Sequence, residues 1–401
     1  MKSLSARFTT FVATVALGGI MAMPVGFAAQ NPTSEIISFE APGAGTAFNQ
    51  ATGVGQGTGC FVVTACHFTI NQWGAIVGTY LDANNVYHGF LRSPQGQYAT
   101  IDAPCADTTP QSYNGTVVES INDLGEITGF CIDAAGDTHG FVRSPQGTIT
   151  EFDAVEPAVE TVPLFINLEG ATVGFVYDET SNLFRAFLRY PNGTLAVFVG
   201  PGSCPLGFNE TPNPCYGNEA AYVSLFGASI GNFEDSNLVG HGMIRSPDGS
   251  FTTYDAPGAG TGIYQGTGCP GCTPGSNLFG AIASEYIDSN NVFHGFLRDP
   301  NGKFITFEVT GAGAAAYQGT GCGADCPMSL NDSGAITGSY SDSNYVQHGF
   351  LRTPEGAFVT FDPSGSAGTQ PESINDSGAI TGFYVDAKGV FHGFLRRGYG
   401  Y

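Results

Sequence analysis

The chain has little charge and very little of it is positive. Lys and Arg together number 13 in 401 residues, against 35 Asp and Glu, for a net charge of −22. A surface this acidic repels phosphate backbones and anionic lipid headgroups, which excludes nucleic acid as a partner. Past the first 28 residues, no stretch approaches the roughly 18 uninterrupted apolar residues of a spanning helix, so membrane insertion is not expected. Nucleophile elbows, phosphate loops and metalloprotease signatures are also missing, and the sequence implies no cofactor and no metal. Charged residues make up only 12% of the chain, but hydrophobic residues reach an ordinary 42%, which is not the composition of a disordered protein. What the chain does have is glycine, 58 residues of it. That abundance points to many tight turns between short strands.

The N-terminal 28 residues read as a secretory signal. Lys2 and Arg7 give a basic start, Phe11 to Ala22 form the apolar stretch, and Gly26-Phe27-Ala28 supplies small residues at −3 and −1. The expectation is a protein outside the cytoplasm, secreted or periplasmic, with a single domain over residues 29–401. The ten cysteines suit that compartment. They fall into local pairs: Cys60 with Cys66, Cys105 with Cys131, Cys204 with Cys215, Cys269 with Cys272, and Cys322 with Cys326. An even count in an exported chain reads as structural disulfides. The alternative, Cys269-Pro270-Gly271-Cys272 as a redox or zinc motif, lacks both a following helix and a second ligand pair.

Internal repetition sets the architecture. His-Gly-Phe-Leu-Arg or a close variant begins at His88, His139, His241, His294, His348 and His392, and Arg185-Ala186-Phe187-Leu188-Arg189 fills the remaining slot. Successive copies lie 44 to 56 residues apart, which makes seven units. The unit order is a turn such as Asn122-Asp123-Leu124-Gly125, an apolar strand, an acidic turn, the His-Gly-Phe strand or its variant, a Pro-x-Gly turn and a short alternating strand. Four short strands in about 50 residues is the content of a propeller blade. The seventh unit ends at Arg396 to Tyr401 without its fourth strand, and Glu35 to Gly45 at the other terminus parallels the missing segment. The sequence therefore predicts an all-β, seven-bladed propeller whose N-terminal strand completes the last blade and removes two exposed edges.

The run Ile374-Asn375-Asp376-Ser377-Gly378-Ala379-Ile380-Thr381-Gly382, the His-Gly-Phe-Leu-Arg strand and the closing Asp255-Ala256-Pro257-Gly258-Ala259-Gly260 resemble the bacterial extracellular repeats of the HAF family. Gly here replaces the Ala of that family's His-Ala-Phe core. The resemblance spans nearly the whole chain after residue 28 and implies export and a repeat fold. It brings no activity and no catalytic residues. The third and fourth units, at Arg185-Ala186 and His241-Gly242-Met243, depart most from it.

Six of the seven histidines occupy one repeat position, where they are expected to hydrogen-bond across the preceding acidic turn, as Asp288 with His294, or to a neighbouring blade. Arg92, Arg143, Arg189, Arg245, Arg298, Arg352 and Arg396 likewise occupy one position. Residues repeated this way are architectural. The Asp82, Asp288 and Asp342 turns lack the ordered acidic ligands of a calcium loop and read as Asx turns. Catalysis would use residues that break the repeat. Glu119 and Glu372 stand just before the first turn, where other units carry Phe68, Leu164, Val223 or Met328. With His67 nearby, they are the candidates for a glycosidase or polysaccharide lyase working in the central channel. The leading expectation is non-enzymatic: a secreted module that binds an extracellular glycan or protein. The first and third turns read as structural, which leaves the variable, cysteine-bearing connections as the expected binding face.

Overall fold

The computed structural model describes residues 35–49, 54–55, 57–58, 67–155, 159–178, 183–204, 218–268, 273–321 and 327–398. Among them the regular structure is all strand, and each repeat folds as an antiparallel meander. The second repeat shows the plan, with strands Gly115–Ile121, Ile127–Ile132, Thr138–Arg143 and Ile149–Phe152 paired in chain order. The first and second strands are buried throughout, the third is partly buried, and the fourth is short and exposed at its middle. Turn chemistry separates them. Asp82, for example, accepts the backbone N–H groups of Asn84 and Val86 at 2.8 and 2.9 Å, so its carboxylate closes the second turn.

In the first, fifth and sixth repeats the first strand is split. A two-residue piece such as Gly57–Thr58 pairs with the same second strand as a later piece, Thr69–Ile70. The intervening Gly-Cys segments lie outside the described residues, and so do all the expected disulfides except one. Cys105 and Cys131 are bonded. Cys204 is buried, but its expected partner Cys215 lies outside the described residues.

Neighbouring repeats are joined in three ways. The third strand of one repeat meets the start of the next in a short parallel bridge, as at Tyr87 with Gly115 and Phe391 with Gly57. Both glycines have φ above +130°, and a Cβ on Gly57 would lie 2.1 Å from the Phe391 carbonyl oxygen. Next, the repeated Phe is buried: Phe90, Phe141, Phe187, Phe296, Phe350 and Phe394 are all among the largest fully enclosed side chains. Last, six of the seven repeated Arg residues reach a ring on the fourth strand of the repeat before. Arg189 lies over Phe152 at 4.8 Å, Arg298 over Tyr254 at 5.0 Å and Arg352 over Phe307 at 5.2 Å. At Arg143 the corresponding residue is Ile101, and the stack is lost.

The chain termini obey the same rules. Ile36–Phe39 pairs antiparallel with Phe391–Arg396, in register from Ile36 opposite Arg396 to Phe39 opposite Gly393. Phe39 sits beneath Arg92 at 5.0 Å and shares a core with Phe68, Phe90, Phe383 and Phe391. Gly393 makes this fit, because a Cβ there would lie 2.3 Å from the Phe39 ring. Phe39→Ala is expected to cost about 3–5 kcal/mol of unfolding free energy. Ile305→Ala, on an exposed fourth strand, should stay within about 0.5 kcal/mol. Urea unfolding of the two variants compares them directly; equal midpoints would mean that the N-terminal strand is not docked.

Candidate functional site

The first turns converge on one feature. Asn71 uses its side-chain oxygen to accept the N–H groups of Trp73 and Ala75, at 3.1 and 2.9 Å, which fixes its own turn. Its Nδ2 is then left to donate to the carbonyl of Asn122 in the next repeat, at 3.2 Å. Asn122 donates onward to Asn167, and Asn167 to Ser224, each at 2.8 Å. The relay resumes at Asn277, which donates to Asn331, then Asn331 to Asn375, and Asn375 back to Asn71 at 3.1 Å. Only the fourth repeat interrupts it, where Ser224 accepts Ala228 N–H but has no amide to pass on.

The residue after each Asn forms the rim. On one side Asp123 accepts the N–H of Gln72 at 2.8 Å, Asp376 accepts that of Asp332 at 2.9 Å, and Gln72 accepts that of Asp376 at 2.8 Å. On the other side the same position is Leu168, Leu225 and Leu278. Burial, joined by the charges of Asp376 and Asp123, raises the Asp332 carboxyl above its ordinary value, against the stabilising N–H of Leu278. Outside the rim stand Trp73, Phe226 and Phe279, exposed at 71%, 80% and 69%. Trp73 is nonetheless pinned, since its indole N–H donates to the Asp123 carbonyl at 2.8 Å.

Below the rim lies a cavity of about 270 Å³, lined by the first strands and first turns of all the repeats. The three candidates from the sequence meet here: Glu119, Glu372 and His67 all line it. His67 Nδ1 lies 2.8 Å from a carboxylate oxygen of Glu119, and the backbone N–H of His67 donates to the same oxygen at 3.3 Å. Glu119 is wholly buried and Glu372 nearly so. Tyr222 also lines the cavity, its hydroxyl pKa driven up by burial.

The repeated histidines sit elsewhere, on the third strands, and their main partner differs from the one expected. Nδ1 of His88 meets Asp102 at 2.7 Å, that of His241 meets Asp255 at 2.8 Å, and that of His348 meets Asp362 at 2.8 Å. The carboxylate fourteen residues downstream is thus the close one. The preceding-turn aspartates lie farther off, at 3.8 Å for Asp82 and 3.5 Å for Asp288. The reason is geometric: Asp82 and Asp288 already close their own turns. In the last repeat the partner comes from the N-terminal strand, as Glu40 to His392. Most of these rings also stack on an aromatic of the second strand, as His294 on Tyr286 at 4.8 Å. The single grouping of ligand-like side chains among the described residues is Cys105, Cys131 and Glu151, and its two sulfurs are bonded to each other.

Sequence reading brought Glu119, Glu372 and His67 to the cavity but missed the mouth. It assigned the first turns to structure and looked to the cysteine-bearing connections for binding. The turns are structural through their Asn, yet the two residues after it vary and carry the exposed rings. The available signal was the chain's one Trp, at a turn position where other repeats have Ser333 or Ser377.

The histidine pairs set a pH dependence. Hydrogen bonds from Asp102, Asp255 and Glu308 raise the pKa values of His88, His241 and His294, with burial opposing. A raised folded pKa contributes stability that is full below the unfolded value of about 6.5 and is lost as pH rises through the folded value. The backbone N–H of Val346 holds Asp342 below its ordinary value, so its contribution is lost as pH falls through that lowered value. The melting temperature should therefore peak between about pH 4 and 6.5 and decline toward pH 8.5. Replacing His88, His241 and His294 together by Gln should flatten that decline; an unchanged slope would assign it to the overall negative charge instead.

No family model matches the sequence, and no curated protein matches it. Solved structures do share its fold. A streptogramin B lyase superposes with a TM-score of 0.51 at 14% identity, over 90% of this chain and 97% of the other. The BP39L lectin of Burkholderia pseudomallei gives 0.51 at 10% identity, over 84% and 97%. A fucose-recognising lectin of Aleuria aurantia, described as a six-bladed β-propeller, superposes more loosely, at 0.41 and 8% identity over 76% and 99%. With the neighbours at a TM-score of 0.51 and its successive antiparallel meanders, the chain has an all-β, propeller-type fold.

Proposed function

We propose that this chain is an exported, seven-bladed β-propeller of HAF-type repeats, closed by its N-terminal strand, that recognises a glycan at the first-turn mouth of its central cavity. Closure is supported by the Ile36–Phe39 pairing, the Phe391 bridge to Gly57, the Asn375 bond to Asn71 and the stack of Arg92 on Phe39. The observation that carries the binding reading is a cavity lined by first turns, three of which place a large ring in solvent, at Trp73, Phe226 and Phe279. Exposed aromatics offer flat apolar faces for the CH surface of a pyranose, and the rim carboxylates accept hydrogen bonds from its hydroxyls. A neighbour at a TM-score of 0.51 is a lectin. In a glycan-array screen the mature chain should bind a defined set of oligosaccharides, and Trp73→Ala should weaken that binding about tenfold or more. Binding that is unchanged in both Trp73→Ala and Phe226→Ala would move recognition away from this face, and a pull-down of protein partners with no glycan bound would replace the reading.

A second reading, cleavage of the bound sugar, has one observation in its favour: Glu119, its bonded His67, and Glu372 line the same cavity. A paired carboxylate arrangement is what glycoside hydrolysis needs. New reducing ends formed by the native chain and not by Glu372→Gln would establish it. Stable oligosaccharide over prolonged incubation would leave the binding reading alone.

A further inference from the structure

Resting on that glycan reading, we propose that the sugar polymer is cationic: an oligosaccharide of amino sugars whose amines are free and not acetylated. The mouth is two-sided. Gln72, Asp123, Asp332 and Asp376 form one half, and Leu168, Leu225 and Leu278 the other, continued outward by Phe226 and Phe279. A pyranose ring has the same division, with an apolar CH face and an edge of polar substituents.

The polar half has acceptors to offer and few donors. The backbone N–H groups of Gln72, Leu278, Asp332 and Asp376 are already given to neighbouring side chains. Those of Trp73, Leu124 and Phe279 are given to the Asn of their own turns. These seven donors are closed to an extended peptide, whereas a ligand rich in its own donors would meet the carboxylate acceptors. The sign of charge then selects among sugars. No Lys or Arg is among the described residues that line the cavity, while Glu119 and Glu372 lie beneath the aspartates of the rim. Uronate and sulfated polymers meet only like charge there. An ammonium group offers three donors to carboxylates and offsets the burial, and with it the Asp376 and Asp123 charges, that raise the Asp332 carboxyl.

The test is titration calorimetry of the full mature chain at pH 6, where an amine with a pKa near about 7.7 is charged. The probes are a β-1,4-linked glucosamine hexamer, its fully N-acetylated counterpart, a galacturonate hexamer and a lysine-rich peptide. The glucosamine hexamer should bind at least about tenfold tighter than the acetylated one, and the preference should shrink as salt screens the rim. The double variant Asp332→Asn with Asp376→Asn keeps an oxygen for each turn N–H. It should retain the parent melting temperature and lose the preference. Equal or tighter binding of the acetylated or uronate hexamer would overturn the cationic assignment while leaving glycan recognition standing. Binding of the lysine-rich peptide alone, or of no probe and no array glycan, would overturn both.

Discussion

The bond on which the rest of the molecule depends is the donation from one first-turn Asn side chain to the next repeat's Asn carbonyl. Its oxygen organises the turn it belongs to, and its nitrogen measures the distance to the neighbour. A single residue thus sets both local conformation and spacing between repeats. Each buried amide bond contributes only about 1 kcal/mol net. Losing one partner costs more, because the other is left buried and unsatisfied. The relay therefore specifies geometry more than it adds stability. Bulk stability comes from the enclosed Phe, or Met243, of the third strands and from the Arg stacks onto preceding repeats.

That division of labour explains where function can reside. Positions held identical by the relay, the His–carboxylate pairs and the Arg stacks are committed to holding the repeats together. Positions adjacent to them are free to differ, and they do so in a one-sided manner: acids on one arc of the mouth, leucines on the opposite arc. Departure from the repeat also marks Glu119 and Glu372, which stand in the cavity where other repeats place apolar side chains.

Much of the fold was legible in the sequence because repetition multiplies weak signals. Strand order, turn positions and the use of Glu35 to Gly45 as a late partner all followed from aligning the units. Three features did not follow. The close partner of five repeated histidines lies fourteen residues downstream, just past the fourth strand, and that of His392 is Glu40, so pairing register is needed to see it. The split first strands at Gly57–Thr58 and Thr69–Ile70 are hidden because Gly-rich segments carry no period. The mouth was missed because Trp73, Phe226 and Phe279 occupy turns whose neighbours are invariant, and a turn that is fixed in backbone was taken as fixed in role.

The central proposal is that the ring closes where the seventh repeat meets residues 36–39 and 67–72, held there by the Asn375 bond to Asn71 and by the N-terminal strand. Hydrogen–deuterium exchange on the full chain carrying Asn375→Ala tests it most directly. The account predicts faster exchange at both ends together, in residues 67–72 and 36–39 as well as 372–378, with the third and fourth repeats unaffected. Loss of protection confined to 372–378, with 67–72 exchanging as in the parent, would contradict it.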